Sequence, residues 1–268
     1  MLEYLQYGFF QRALVAVVLL SISAGIIGTY IISRRLVAIC GGITHACFGG
    51  LGLGYFLGVS PILMAGAFAL VSSAGVEWAS SRFRLREDSA IAVIWALGMA
   101  LGVLFVFLTP GYVPELNAFL FGNILTVGKA DILSFGVFTA ATVAFYLWQS
   151  RKIVAVAFDR DFAAVAGLPV RMINYTMTVL VAICIVLTIK ITGIMMLMSV
   201  LSLPMITAEV FCHRFRILAV ASGALSLLSC VGGLLLSTII DVPCSVLIVL
   251  LMVGLFAGAR LAAFLRKF

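Results

Sequence analysis

Few side chains in this chain could do chemistry. The first is His45, within CGGITHACFGGLGLGYFLG from Cys40 to Gly58. A neutral imidazole is a good ligand for zinc, manganese or iron. An ionisable group inside an apolar segment is costly enough to mark a pathway or a polar contact. Cys40 and Cys47 do not join it, because at about 100° per residue they share a helix face while His45 points away from both. The residue by itself supports two roles, a histidine hydrogen-bonded between helices and an ion ligand in a pathway. Gly41, Gly42, Gly49, Gly50, Gly52 and Gly54 surround it and allow neighbouring helices to approach closely.

Other candidates fall away on spacing. GNILTVGKA, Gly122 to Ala130, has five residues between its glycines and Ala130 after Lys129. A phosphate loop needs four, then Ser or Thr after the lysine, so this is not an ATP site. Glu77 and Glu209 lie near span ends, where snorkelling or pairing with arginines is expected. Glu87 and Asp88 before an apolar run read as helix caps, as do Ser60-Pro61 and Asp241-Val242-Pro243. His213 beside Cys212 reads as a solvent-edge pair. The six cysteines show neither a disulfide framework nor zinc spacing. No Ser-His-Asp set or carboxylate pair can be assembled, so no catalytic site of the chain's own is expected.

The densest charge in an apolar context is AVAFDRDFAAVAGLPVR, Ala155 to Arg171. Asp159 or Asp161 suits the N-terminus of a short helix. Phe162, Val165 and Ala166 fall at helical spacing and make one apolar stripe. Gly167 suits the left-handed position after the helix, Leu168 the closing apolar contact, and Pro169 blocks continuation. The expectation is a capped, two-turn knob from about 159 to 168, built to fit a groove on another protein.

These residues must be positioned by membrane helices. The chain has 268 residues, 64% hydrophobic and 10% charged, with mean hydropathy +1.27. That is too apolar for a soluble domain. Apolar runs of about twenty residues recur, each enough to cross a bilayer core. Alternation suited to a membrane barrel is absent. The expectation is an all-α polytopic protein, a single transmembrane domain over 1–268, with about eight to nine transmembrane helices. Spans read at about 13–33, 36–57, 61–81, 89–109, 131–148, 172–189, 191–211, 217–239 and 243–259, with a broken or tilted segment near Lys190. With Arg34 and Arg35 in the cytoplasm, 14 of the 17 Lys and Arg fall on that side; only Arg12, Lys129 and Lys190 do not. This positive-inside bias places the C-terminus in the cytoplasm. It also accounts for the net charge of +7 without a nucleic-acid partner. LNAFLFGNILTVGKAD, Leu116 to Asp131, reads as a short interfacial helix on the outer side. Glu115 and Asp241 lie at the outer mouth in this topology.

Five segments, in register, resemble the membrane subunits of ATP-binding-cassette importers for zinc, manganese or ferrous iron. They are REDSAIAVIWALGMALG, LNAFLFGNILTV, FDRDFAAVAGLPV, TGIMMLMSVLSLPMITA and DVPCSVLIVL. The third matches the family pattern through Phe158, Asp159, Ala163, Gly167 and Pro169. The resemblance implies a vitamin-B12/metal-importer-type permease fold in the cytoplasmic membrane. It implies two copies of this chain, a cytoplasmic ATPase dimer carrying the ATP, and an extracytoplasmic metal-binding protein. No cofactor is implied on this chain itself; the metal is cargo. Asp159, Phe162, Ala163, Ala166, Gly167, Leu168 and Pro169 then belong to the coupling helix, and His45 meets the metal. His45, Ala46 and Gly50 follow the family segment, but its Asp and Pro positions are Gly41 and Gly49, and Glu209 replaces a usual Arg. An ion-gradient-coupled metal transporter is the alternative; it requires midplane carboxylates, which the spans almost lack.

Overall fold

The computed structural model describes residues 6–83, 87–110, 122, 124–240 and 242–266, without the side chains at 39, 77, 79–83, 87 and 88. The side chains of Glu77, Arg82, Glu87 and Asp88, and all of Arg84, Arg86, Glu115, Asp241 and Lys267, lie outside the described residues. Residues 116–121 and 123 of the stretch read as an interfacial helix also lie outside them; in the remainder, Ile124–Thr126 forms one 3₁₀ turn and α5 begins at Lys129.

The described regular structure is helical throughout: α1 Gly8–Ser33, α2 Val37–Leu57, α3 Pro61–Phe83, α4 Glu87–Leu108, α5 Lys129–Phe158, α6 Arg160–Val165, α7 Val170–Glu209, α8 Phe215–Ile240 and α9 Cys244–Leu265. Among the described residues, α1, the Ser89–Leu108 part of α4, α5, α7, α8 and α9 are each long and apolar enough to cross a membrane. α2 is 21 residues long and carries His45 and six glycines within an apolar sequence.

The segments expected at 172–189 and 191–211 are joined in α7, a 40-residue helical run broken at Gly193 (φ 78°, ψ 171°). A positive φ with ψ near 180° is a conformation open essentially to glycine alone, so glycine suits the break. α5 runs well past the expected 131–148. The apolar run is interrupted at Gln149–Lys152, but Arg151 and Lys152 are good helix formers and the backbone ladder continues through a second apolar run to Phe158.

Lipid supplies no hydrophobic force between helices, so packing rests on close contact between small residues. α1 is centrally placed against α5, α7 and α8. A Cβ on Gly25 would lie 2.6 Å from the carbonyl oxygen of Ala219 in α8. α2 lies between α3 and α4. There, Gly49 faces Gly98, and Gly52 faces Gly102 closely enough that a Cβ would sit 2.4 Å from its carbonyl oxygen. The glycines around His45 therefore do pack helices. Hydroxyls join the same seams: Ser23 bonds Thr139 at 2.9 Å, and Thr29 donates to its own helix at Gly25 O, 2.6 Å. Large apolar side chains such as Leu63, Phe107, Leu133 and Val220 point outward, as a lipid-facing exterior requires.

Candidate functional site

His45 sits half-buried on the middle of α2. Its Nδ1 lies 2.8 Å from the carbonyl oxygen of Gly41, one turn earlier. Its ring stacks on Trp95 of α4, with centroids 4.3 Å apart and planes 27° from parallel. The carbonyl holds Nδ1 and the indole holds the ring plane, which leaves Nε2 as the nitrogen not engaged by that carbonyl. Where the resembling family carries an acid, Gly41 has no side chain. A Cβ there would point at Met198 of α7, 3.3 Å from Cε and 3.9 Å from Sδ. The Met198 sulfur also lies 3.9 Å from the Thr44 hydroxyl, which donates to Cys40 O at 2.6 Å. The surroundings of Gly41 thus hold a thioether in place of a carboxylate, a softer environment for a cation.

Cys40, Cys47 and Cys184 are buried free thiols, as is Cys230; Cys212 and Cys244 are half-buried and free. No group of three or more His, Cys, Asp or Glu is placed to hold a metal among the described residues. Glu209 is exposed and makes no ion pair with an arginine among the described residues.

The second constellation lies at the far end of α5. Asp159 ends that helix, its N–H bonding Ala155 O at 3.0 Å, and begins α6, its carboxylate accepting Phe162 N–H at 2.9 Å. Asp159, not Asp161, is therefore the cap. At the other end Gly167 adopts φ 74°. Its N–H bonds Ala164 O at 3.1 Å, and Leu168 N–H bonds Ala163 O at 3.0 Å. Those two bonds are the Schellman closure, and they satisfy carbonyls that a six-residue helix would leave bare. Ala163 is wholly buried and Leu168 packs against the main core, so one face anchors the knob. The opposite face is bare: Phe162 is 66% and Val165 89% exposed. Arg34, after α1, ties the base down through Nη1 to Val156 O at 3.2 Å.

The structure does not join these two constellations. His45 lies on α2 beside α4 and α7, while the knob lies between α5 and α7.

A third feature escaped the sequence. Lys190 of α7 pairs with Asp131 of α5, whose carboxylate also accepts Gly128 N–H at 3.0 Å and so caps α5. Gly122 (φ 61°) lies directly on the α7 break, where a Cβ would sit 2.3 Å from the backbone nitrogen of Gly193.

Residues 6–263 match the family model described as the ABC 3 transport family. The chain belongs to the ABC 3 transport family. It is accordingly a multi-pass cell-membrane protein and the permease subunit of an ABC transport system. It is 35% identical over 238 residues to a membrane protein of Synechocystis, slr2045, covering 88% of this chain and 84% of that one. It is 29% identical over 260 residues to the manganese transport system membrane protein MntC of Halalkalibacterium halodurans, covering 96% and 88%. Its fold is similar to a chain in the structure of PsaBC from Streptococcus pneumoniae in complex with Fab. There the TM-score is 0.86 and the identity 24%, over 96% of this chain and 93% of the other.

Proposed function

We propose that this family member imports a divalent transition-metal ion (zinc, manganese or ferrous iron) by alternating access. Two copies form the pathway, a cytoplasmic ATPase dimer supplies the force, and an extracytoplasmic metal-binding protein delivers the ion. The observation that carries the reading is the knob: a six-residue helix fixed at both ends, with Phe162 and Val165 turned to solvent. Exposed apolar side chains on a rigid protrusion suit a groove on a partner. The name of the similar MntC supports metal as the cargo. The charge distribution supports a cytoplasmic position for the knob and for the C-terminus.

In this reading, ATPase closure moves α6, and α5 and α7 tilt with it, because α6 is bonded without slack to both. His45 meets the ion through its imidazole, the ring set by Gly41 O and Trp95. The chain makes and breaks no covalent bonds. The test is uptake of radioactive zinc, manganese and iron into proteoliposomes holding this chain with its ATPase. Uptake should require ATP hydrolysis, and His45→Ala should weaken it or change the preferred ion. Uptake driven by an ion gradient with no ATPase present would overturn the importer reading. Unchanged uptake of every ion by His45→Ala would remove the histidine from the pathway.

A further inference from the structure

A basic cluster at the far end of α5 belongs to neither the pathway nor the knob. A cleft of about 460 Å³ opens beside α5 and the first turn of α8, lined by Leu147, Trp148, Ser150, Arg151, Lys152 and Arg216. Arg216 reaches across it, donating through Nη2 to Ser150 Oγ at 3.3 Å. None of its three cations has a carboxylate partner among the described residues. A concave surface with three uncompensated positive charges calls for an anion.

Its depth says which kind. The Asp131–Lys190 pair is partly exposed and marks one end of the apolar part of α5. Arg151 lies twenty residues further on, about 30 Å along the helix at 1.5 Å per residue. That matches the hydrocarbon thickness of a bilayer, so the pair and the cleft sit at opposite headgroup levels. The exposed stripe of Leu133, Val137, Leu147 and Trp148 leads along the helix to Arg151. Trp148, 75% exposed, takes the interfacial place that an indole favours.

We propose that this cleft holds the phosphodiester headgroup of an anionic phospholipid from the surrounding bilayer. Arg151, Lys152 and Arg216 face the phosphate, and Trp148 lies along the glycerol and upper acyl region. Basic pockets between membrane helices at this level recognise such headgroups, whereas a free phosphate would gain nothing from Trp148 or the apolar stripe.

The full chain, purified in detergent, is titrated with phosphatidylglycerol, phosphatidylcholine or inorganic phosphate, and bound ligand is read by native mass spectrometry. Wild type should retain phosphatidylglycerol over phosphatidylcholine. At about fivefold per basic residue near an anionic surface, R151Q/K152Q/R216Q should lower that affinity roughly hundredfold. R260Q/R266Q, altering basic residues elsewhere, should leave it unchanged. Equal retention by the triple variant and wild type overturns the proposal. So does inorganic phosphate binding alone as tightly as the lipid. If the triple variant does not fold, Trp148 in wild type decides. Its fluorescence should be quenched by headgroup-spin-labelled anionic lipid, as judged against Trp148→Phe, and absence of that quenching overturns the proposal.

Discussion

Gly167 separates a knob that needs a particular backbone from a loop that merely connects helices. Its φ of 74° is required by the two closing bonds to Ala164 and Ala163. A Cβ there would meet nothing within 4 Å, so side-chain volume by itself is harmless. Any effect of substitution must come from the backbone. An L-residue in this region costs about 1–2 kcal/mol, and a β-branched one lies at the upper end. Gly167→Val should therefore disfavour the closed knob by about 2 kcal/mol, roughly thirtyfold in its population. Asn tolerates the left-handed region better, so Gly167→Asn should lose only severalfold, although its side chain has one more heavy atom than that of Val. In proteoliposomes with the ATPase, the Val variant should hydrolyse ATP with little transport, while the Asn variant keeps most coupling. Hydrogen exchange at the Gly167 and Leu168 amides should rise in the same order. If Val and Asn behave alike, or if Val couples normally, the left-handed closure is not what transmits force.

Gly41→Asp would place a carboxylate one turn before His45, and the flexible Met198 side chain need give only a few tenths of an ångström. It should shift preference toward manganese over zinc in competitive uptake, as harder oxygen ligands favour. Gly52→Val should abolish a folded, monodisperse protein in size-exclusion chromatography, because its Cβ would meet Gly102 O at 2.4 Å with only backbone to yield. Asp131→Asn should lower stability by only about 1 kcal/mol, seen as a small fall in thermal midpoint, since the Lys190 partner is 40% exposed.

What the sequence revealed follows the range of the interactions. The knob was legible because its determinants lie within a few residues: Asp159 caps Phe162, Gly167 closes on Ala164, and Pro169 prevents continuation. The break in α7 was legible as a missing loop beside Lys190, though not its location at Gly193. Asp131–Lys190, 59 residues apart, had no local signal, and neither did Met198 over Gly41. The length of α5 was underestimated for a different reason. Hydropathy records where lipid contact ends, whereas the helix ends where its hydrogen bonds do, at Asp159. His45 was legible as a costly polar group, but its stacking on Trp95 depends on α4, which its own segment does not specify.

The seating of Gly122 on Gly193 has a mechanical consequence. Two backbones meet there with no side chain between them, so neither strand of the contact has padding to compress. Any side chain at position 122 would overlap the α7 backbone at Thr192 and Gly193, so this seat admits glycine alone.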